Sequence, residues 1–597
     1  MKTIIRNCAW LLSFVFLTTA LIGCSNEDPV SGPIEINEGF TRIEGYFAAR
    51  IPMTEENVFV VNVTGGTGTA IVRTTEVVNG MYIPPTTVTL LPDGSTRVPI
   101  LGIPRDPGMF VFRVEVLTGY GEWHRHTVPH FVETPILVGF PNIDIGPNEG
   151  FDGGLGFERM PWLISQAEQL DLIRLHPDAH FLLTADINLA DLDDEWVPID
   201  DLLGSINGAG HSIRGLVRTN VGAIPGGVGI GAGGGFVNRL APSGALRNIA
   251  FRDIDMSTTA QFGAIVGNHY GVIDNIVVTG TLVSTHTGGD RLGGISGEMR
   301  AGALTNSFVN LNITTGAGMT GGAVGRANNN ALLIANVTTQ GSITVTRSSG
   351  TFRLGGILGR AEGSNQLVVR NNWSSMDLGA AAGHNIEGVG GIFGACNNPA
   401  GMLIIENKFS GTLTNVRQAG GISGAGPNTR NNLVAGPSAS NPLIFTVAGT
   451  PGTGAIGGIA GSGKFTVNNN IVRNVTITGP SQAARALAGI SSHFEQNCRT
   501  FNNVVQNITL VGTFANGIGG NNPVGTGYTR NNFRNNVAFP SGITPGDDAD
   551  GRDGAVVATL NQAFYELLGF DFTNVWEIRN GVPYLRNVGY QGNIPTN

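Results

Sequence analysis

A short glycine-rich motif, repeated along the chain from residue 263 onward, constrains the fold more than any other feature of the sequence. In most copies a pair of glycines precedes two small or apolar residues and a further glycine, as in Gly355-Gly356-Ile357-Leu358-Gly359. Successive copies begin at Gly263, Gly293, Gly321, Gly355, Gly390, Gly420, Gly457 and Ala488. Their intervals of 28 to 37 residues are typical of a solenoid in which each copy belongs to one coil and the loops vary in length.

A second element, Asn followed by an apolar residue, recurs between the glycine motifs. It occurs at Asn275-Ile276, Asn336-Val337, Asn372-Trp373, Asn432-Leu433, Asn470-Ile471, Asn503-Val504 and Asn532-Phe533. Equivalent positions on successive coils stack at strand spacing, about 4.8 Å, and stacked Asn side chains can hydrogen-bond along the axis. We expect the apolar neighbour to fill the core. The glycine pairs are expected to permit positive φ or a close approach of coils.

The first 23 residues predict an export signal, with a basic start at Lys2 and Arg6 and an apolar stretch over 9–22. The stretch ends in Leu21-Ile22-Gly23-Cys24, which resembles the lipobox of bacterial lipoproteins. This resemblance implies cleavage before Cys24 and lipidation of its thiol, and a second acyl chain would make the anchor stable. The less favoured alternative is an ordinary signal peptide with an incidental cysteine.

The residues after Cys24 bear on location. Ser25-Asn26-Glu27-Asp28 resembles the acidic surface-export signals of Bacteroidota lipoproteins. We therefore expect an outer-membrane lipoprotein on the cell surface, with a periplasm-facing orientation as the alternative. Residues 24–38 form a linker in this interpretation.

Short β-rich runs separated by Gly, Pro and Asp turns follow over residues 39–140, as at Pro92-Asp93-Gly94-Ser95. This pattern favours a β-sandwich, and it resembles the immunoglobulin-like domains that follow the lipid anchor in many surface lipoproteins. The domain is expected to act as a spacer. A Gly-rich linker is predicted over residues 141–156.

The segments Pro161-Trp162-Leu163-Ile164-Ser165, Ala185-Asp186-Ile187-Asn188-Leu189 and Ile206-Asn207-Gly208-Ala209-Gly210 resemble the start of GLUG-motif β-helix proteins. The resemblance implies a right-handed parallel β-helix over residues 157–545 and extends to the C-terminus. Ser165 and Glu168 are predicted to form a capping box at the N-terminal cap. Residues 546–597 are predicted to form a C-terminal cap, with a helix over 560–568 and closing strands over 572–585. The fold class is therefore all-β, a parallel β-helix after an Ig-like sandwich.

Histidine and cysteine patterns argue against a metal site. His176 and His180 lack the His-Glu-x-x-His pattern of zinc peptidases, so the peptidase activity of some GLUG relatives does not carry over. His124, His126 and His130 are predicted to form a surface cluster because Pro129 interrupts their strand. Cys396 and Cys498 belong to coils three apart, about 14 Å along the axis, beyond disulfide reach. No metal and no cofactor are expected.

Glycan cleavage is the main enzymatic alternative, because many β-helix proteins are lyases or hydrolases. Hydrolysis needs two carboxylates. Residues 263–540 contain only eight acids. They are scattered: Asp274, Asp290, Glu298, Glu362, Asp377, Glu387, Glu406 and Glu495. No Gly-x-Ser-x-Gly occurs around Ser296, Ser423 or Ser491, and no Gly-Lys-Ser/Thr follows the glycines. We expect no catalytic residues, and we keep a polysaccharide lyase or hydrolase and a structural envelope protein as alternatives.

Charge gives the only sequence indication of a ligand. Residues 263–540 contain sixteen basic residues, fourteen of them Arg, and carry a formal charge of +8 in a chain of net charge −9. Arg370, Arg430 and Arg530 each precede an Asn-Asn pair, which suggests a shared face. The expected function is a non-catalytic surface binding or adhesion protein. Expected partners are the membrane, through the lipid, and anionic glycans or surface proteins; no nucleic acid is expected. A chance surplus of arginines in a low-charge solenoid is the alternative.

Overall fold

The computed structural model describes residues 34–596 except 37–40, 45–46, 48–51, 66–67, 91–93, 106–107, 119–122, 133–149, 222–232, 287, 289–290, 329–331, 349–351, 363–365, 382–383, 385, 398–400, 448–454, 464–465, 481–486, 494–497 and 520–527. The chain divides into two compact units, residues 1–146 and 147–597. Among these described residues, no helix is long and apolar enough to cross a bilayer. Cys24 and the predicted export signal lie outside the described residues.

Two antiparallel sheets make up the N-terminal unit. The first contains Ile34–Ile36, Arg42–Glu44, Val58–Gly65 and Ser95–Pro99. The second contains Gly68–Thr74, Thr86–Leu90, Gly108–Thr118 and Trp123–Val132, and a small pair joins Met81–Tyr82 to Leu101–Gly102. Phe59 and Val98 of the first sheet share one buried core with Val72 and Phe112 of the second. The predicted β-sandwich is confirmed in this arrangement.

The predicted interruption of the histidine strand at Pro129 is wrong. Trp123–Val132 pairs with Gly108–Thr118 without a break, including Pro129 opposite Val111. The strand lies at the edge of its sheet, where a residue without an N–H is tolerated. His126 is buried, and the His130 ring packs 4.1 Å from the Phe47 ring, so these side chains contribute to packing.

The second unit is a parallel β-solenoid, which confirms the predicted fold class. One continuous run of 37 strands follows the coils and pairs in parallel from coil to coil. Its strands are Trp162–Ile164, His180–Leu183, Ile187–Asn188, Ser205–Asn207, Ser212–Arg214, Val217–Val221, Gly233–Gly234, Ala245–Thr258, Phe262–Gly263, Val272–Ser284, Arg291–Gly293, Gly302–Thr305, Phe308–Thr315, Met319–Gly321, Leu332–Ala335, Thr338–Val345, Arg353–Gly355, Leu367–Arg370, Trp373–Ser374, Asp377–Ala380, Ile386–Gly390, Leu403–Ile405, Lys408–Phe409, Leu413–Gly420, Asn428–Arg430, Leu433–Ala435, Leu443–Val447, Ala455–Gly457, Thr466–Asn468, Ile471–Thr478, Leu487–Ala488, Arg499–Phe501, Val504–Val511, Ala515–Asn516, Tyr528–Arg530, Phe533–Ala538 and Ala555–Val556.

A separate nine-stranded parallel sheet closes another side of the coils. Its strands are Ile199–Leu202, Val237–Leu240, Val266–His269, Ser296–Met299, Val324–Asn328, Leu358–Glu362, Phe393–Cys396, Ser423–Gly426 and Ala460–Gly463. One buried apolar core runs through the coils between these sheets. Side chains alternate between this core and the outer surface along strands such as Leu367–Arg370, whereas Ser296–Met299 and Phe393–Cys396 are buried at every position.

The glycine motifs lie in register on successive coils, as the repeat predicts. Gly263, Gly293, Gly321, Gly355, Gly390, Gly420, Gly457 and Ala488 are paired in this order from strand to strand. None of these glycines has a positive φ. A Cβ on Gly356 would lie 2.1 Å from the Gly391 carbonyl oxygen, so the motif is required by the close approach of neighbouring coils.

Buried asparagines form a continuous ladder at one corner of the coils. Its members are Asn372, Asn407, Asn432, Asn470, Asn503 and Asn532, all fully buried. Each Nδ2 donates to the Oδ1 of the next member over 2.9–3.2 Å, and each backbone N–H donates to the same oxygen. The predicted Asn stacking is therefore present. The residue before each member has positive φ and is Asn in every case except Glu406.

Two details of the Asn pattern differ from the prediction. Asn275 and Asn336 occupy the positive-φ position that precedes the ladder, so Ile276 and Val337 take the inner position and fill the core. In later coils the residue after the ladder Asn points outward. These outward residues and the residues paired with them on the earlier coils form the flank row: Ala250, Val277, Phe308, Thr338, Trp373, Lys408, Leu433, Ile471, Val504 and Phe533.

Both ends of the solenoid are closed. At the N-terminal end, a helix over Ala167–Leu172 leads into a 3-10 turn, Ile173–Leu175, and a second such turn covers Leu189–Asp191. The predicted Ser165–Glu168 capping box is wrong. Gln166 is the N-cap, and the Gln169 Oε1 accepts the N–H groups of Ser165 and Gln166 over 2.7 and 3.2 Å.

An aspartate-rich segment, residues 546–557, closes the C-terminal end. The Arg552 carbonyl accepts the N–H groups of Ile518 and Gly519 over 2.8 and 3.0 Å. The carboxylates of Asp550 and Asp553 accept the N–H groups of Asn531 and Gly517. The segment thus replaces the hydrogen bonds that a further coil would make.

The remainder of the predicted cap lies along the side of the solenoid. We define residues 560–596 as the C-terminal strap. It contains a helix, Gln562–Leu567, and a hairpin of Trp576–Arg579 with Val582–Leu585. Its buried aromatic residues Tyr565, Phe570 and Trp576 pack on the flank row at Leu433, Ile471 and Val504.

Beyond the hairpin the strap continues toward earlier coils. The Gly589 N–H donates to the Asn371 carbonyl over 2.7 Å, and the Tyr590 hydroxyl donates to Asn275 Oδ1 over 2.8 Å. Arg252 Nη2 donates to the Pro595 carbonyl over 2.6 Å. The strap therefore covers the flank row from its last coil back to the coil of Ala250.

Candidate polyanion-binding face

The candidate face lies on the sheet side that precedes the asparagine corner. The strands are short, as in Leu367–Arg370, whose residues alternate between core and surface so that Val368 and Arg370 point outward. Each coil consequently presents two outward positions, here named the inner and outer rows. Parallel pairing stacks each row along the solenoid axis.

Arg370, Arg430 and Arg530 occupy the same row. The outer row runs Arg370, Ile405, Arg430, Asn468, Phe501, Arg530 from one coil to the next. All three arginines are exposed. The structure thus brings together the three residues that the sequence selected, two and three coils apart, or about 10 and 14 Å along the axis.

The inner row adds a residue that the sequence analysis missed. It runs Val368, Leu403, Asn428, Thr466, Arg499, Tyr528 over the same coils. Arg499 is exposed and lies two coils after Arg430. It precedes Phe501 by two residues and so shares its outward side, a relation visible only once the strand is placed. We call the two rows over these six coils the arginine face.

Neither row of the arginine face contains an acidic residue over these six coils. Glu406 borders it at the corner position that follows Ile405. The strap borders the same corner, where Asn469 Nδ2 donates to the Leu568 carbonyl over 3.0 Å. The face therefore has four cations with neutral side chains between them, and the carboxylates of Glu406 and Asp550 lie at its edges.

The acids required by the enzymatic alternative occupy different places. Glu298 is fully buried and receives Arg291 Nη1 at 2.6 Å and Arg300 Nη2 at 3.1 Å on one oxygen. Arg326 bridges the other oxygen to Glu362, at 2.8 Å from Glu362 Oε2. Burial would raise the pKa of Glu298, but the hydrogen bonds and charges of the arginines hold it below its ordinary value. A carboxylate that stays ionised and inaccessible cannot serve as a general acid.

The histidines and cysteines considered in the sequence analysis do not form a metal-binding cluster among the described residues. His176 ends the 3-10 turn and His180 begins a strand, with its Nδ1 2.7 Å from Ser205 Oγ. Cys396 and Cys498 are both free and buried, as their coil separation predicts. Within the described ranges no group of three or more His, Cys, Asp or Glu could hold a metal ion. Asp290 and Glu495 lie outside the described residues.

Comparisons with known proteins give short sequence matches and two structural matches with low TM-scores. No protein-family profile matches the chain. A candidate Gly-rich membrane protein of Evansella cellulosilytica is 35% identical over 139 residues, 21% of this chain and 15% of that protein. Halomucin of Haloquadratum walsbyi is 31% identical over 101 residues, 17% of this chain and 1% of that protein. The chain therefore spans only a small part of the length of these relatives.

Two solved structures match this chain at low TM-scores. A candidate immunoglobulin A1 protease from Bacteroides ovatus has a TM-score of 0.26 and 17% identity, covering 73% of this chain and 95% of that chain. A family 28 exopolygalacturonase from Yersinia enterocolitica has a TM-score of 0.19 and 8% identity, covering 87% of this chain and 98% of that chain. Neither likeness says anything about the activity of this chain.

Proposed function

We propose that this chain is a surface lipoprotein that binds anionic glycans on its arginine face without cleaving them. The observation that carries the proposal is the stacking of Arg370, Arg430 and Arg530 in one exposed row. Guanidinium groups form paired hydrogen bonds with sulfate and carboxylate. Several cations along one line favour a long anion over a small one, because one ligand can contact several of them at once.

The location is part of the same proposal. Cys24 would carry the lipid, the Ig-like sandwich would hold the solenoid away from the membrane, and the GLUG-like coils would present the face outward. The Gly-rich membrane protein of Evansella cellulosilytica, which shares a stretch of this sequence, supports association with a membrane. Adhesion to a glycan-coated surface is the expected consequence.

The proposal that the chain does not cleave glycans rests on the positions of its acidic side chains. Hydrolysis of a glycan needs an acid that can give up a proton and a second carboxylate at a defined distance. Glu298 and Glu362 are tied to Arg326 from two sides, which suits them to joining coils.

The test is binding of the chain, expressed without its lipid anchor, to an array of sulfated and uronic-acid polymers, followed by analysis of the eluted glycans. We expect retention that weakens with salt, because exposed charges are screened, and glycans of unchanged length. The triple variant R370Q/R430Q/R530Q should lose about tenfold or more in affinity. Arg214→Gln removes an exposed arginine outside the arginine face and should have no effect.

Three results would contradict the proposal. Shortened glycans would indicate an enzyme. Equal retention by the triple variant would place binding elsewhere, and retention of no polyanion would favour a protein partner or a structural role.

A further inference from the structure

Resting on the proposed function, we infer that the ligand of the arginine face is a linear polysaccharide with one anionic group per disaccharide, bound parallel to the solenoid axis. The inference concerns the spacing of the cations. Arg370 and Arg430 of the outer row and Arg499 of the inner row lie on every second coil, and Arg530 lies one coil after Arg499.

The spacing selects the ligand. Two coils correspond to about 10 Å along the axis, which is close to the length of two sugar residues in an extended chain. A polymer with a carboxylate or sulfate on alternate sugars would place successive anions opposite Arg370, Arg430 and Arg499. A polymer charged on every sugar would leave alternate anions over coils that have no cation.

The coils between the arginines suit the uncharged sugar. The coil after Arg370 presents the half-buried Leu403, while Ile405 beside it is buried, and the coil after Arg430 presents the half-buried Thr466 and Asn468. None of these side chains is charged, so an anion placed there would be desolvated without a partner. A neutral sugar can place its C–H groups on the Leu403 side chain and its hydroxyls on the Asn468 amide and the Thr466 hydroxyl.

The direction of the bound polysaccharide follows from the dimensions of the arginine face. Across the coil, a strand such as Leu367–Arg370 presents only two outward residues before the corner at Asn371. Beyond that corner the strap covers the flank row. Along the axis, the two rows continue over six coils without an acid. An extended chain therefore gains contacts only by following the axis.

The test uses the whole exported chain and size-defined oligosaccharides with a carboxylate on every second sugar, of two, four, six and eight residues, measured by titration calorimetry. Affinity should rise stepwise to the hexasaccharide, which can reach three arginines, by about threefold to tenfold per added disaccharide. Each of Arg370→Gln, Arg430→Gln and Arg499→Gln should lower hexasaccharide affinity by a similar factor. Arg214→Gln is the matched control.

A variant that adds a positive charge on a coil between two arginines gives a sharper test. Asn468 lies in the outer row on the coil between Arg430 and Arg499, so Asn468→Arg adds a cation out of phase. We expect Asn468→Arg to raise affinity for an oligouronate charged on every sugar by about threefold or more, and to leave affinity for the alternating oligosaccharide nearly unchanged.

The outcomes separate this inference from the proposed function. Equal affinity for disaccharide and hexasaccharide, or a preference of the unmodified chain for the fully charged oligouronate, would overturn the inference while polyanion binding stands. Equal binding of a single-stranded oligonucleotide of matched charge would also overturn it. Loss of all polyanion binding would remove the proposed function itself.

Discussion

Asn372 and Asn407 are joined through their side chains inside the solenoid, with Asn372 Nδ2 donating to Asn407 Oδ1 over 2.9 Å. The same oxygen accepts the Asn372 backbone N–H over 3.0 Å. Asn407 Nδ2 donates in turn to Val369 and Ile405 carbonyls. Since it also donates to Asn432 Oδ1 on the following coil, the Asn407 amide connects three coils at a position with no access to water.

The first prediction concerns this amide. Asn407→Leu would leave the buried N–H groups of Asn372 without their acceptor, so we expect the free energy of unfolding to fall by about 3 kcal/mol. Urea denaturation measures the change. Asn428→Leu, at a half-buried outward position, is the control and should change stability by less than about 1 kcal/mol. A neutral effect of Asn407→Leu would mean that the ladder does not stabilise the coils.

The second prediction concerns Glu406, the residue before Asn407. Glu406 has φ of +60° at a position that is Asn in the neighbouring coils, and Asn tolerates the left-handed region better than Glu. Glu406→Asn should therefore raise stability by about 0.5–1 kcal/mol. It also removes an acid that borders the arginine face and should strengthen polyanion binding. Glu406→Gln separates the effects, because it removes the charge and keeps the strain; equal stability of the two variants would contradict the prediction.

The third prediction concerns pH. His269 is fully buried, with Nε2 3.1 Å from the Gly271 carbonyl and Nδ1 3.2 Å from Ser296 Oγ, and burial lowers its pKa from 6.5 to about 4. The unfolded chain therefore binds a proton more readily. The stability provided by the neutral ring is complete above pH 6.5 and is lost progressively between pH 6.5 and 4, by on the order of 3 kcal/mol.

Denaturant titrations at pH 7.5, 5.5 and 4.5 measure this dependence. His269→Gln should be less stable at pH 7.5 but should show a flatter decline toward pH 4.5. Val511→Ala, at a position that is 47% exposed and has no titratable group, should keep the slope of the unmodified chain. An unchanged slope in His269→Gln would assign the acid sensitivity to other groups.

The fourth prediction concerns the glycine motif. An alanine at 356 would bring its Cβ to 2.1 Å from the Gly391 carbonyl oxygen and 2.2 Å from Ser374 Oγ. Neighbouring coils would have to separate, so Gly356→Ala should lower the unfolding free energy by about 2–4 kcal/mol. Gly546→Ala is the matched control, since its Cβ would meet nothing closer than 3.7 Å. Thermal melts of both variants decide between tight coil contact and simple chain flexibility as the reason for glycine.

The fifth prediction concerns the strap. Ile594 is buried among Ala250, Val277 and Phe308, so Ile594→Asp places an unpaired charge in an apolar site and should release residues 587–597. Trypsin should then cut after Arg586, whose side chain now donates to the Trp576 carbonyl over 2.8 Å, at least tenfold faster, in line with a loss of about 1.4 kcal/mol or more. Ile444→Asp, at a surface position that is 42% exposed, should leave the rate unchanged.

The sequence predicts the solenoid well because glycine is required wherever two coils touch, and this requirement repeats with every coil. It identified eight successive coil positions in the correct register. It missed the copy at Gly234, which pairs with Gly263, because Asn238 stands where most other copies have their closing glycine. The repeated Asn pattern did not identify Asn407, because both of its neighbours, Glu406 and Lys408, are charged.

The site was predictable in part. Arg370, Arg430 and Arg530 share a row because each stands directly before the positive-φ corner, and the Asn-Asn pairs mark that corner in the sequence. Arg499 lies on the same coil side without such a marker. The strap was not predictable, because its contacts with Asn371 and Arg252 join residues hundreds of positions apart and follow no repeat.

The bond between Arg252 and Pro595 has a consequence for the order of assembly. The two residues are 343 positions apart, so the early end of the flank row stays uncovered while the coils form in sequence. Ile471 is covered as soon as residues 565–576 have emerged, whereas Phe308 stays open to water until residue 594 follows. A chain that stalls between these two points keeps an exposed apolar surface at Ala250, Val277 and Phe308.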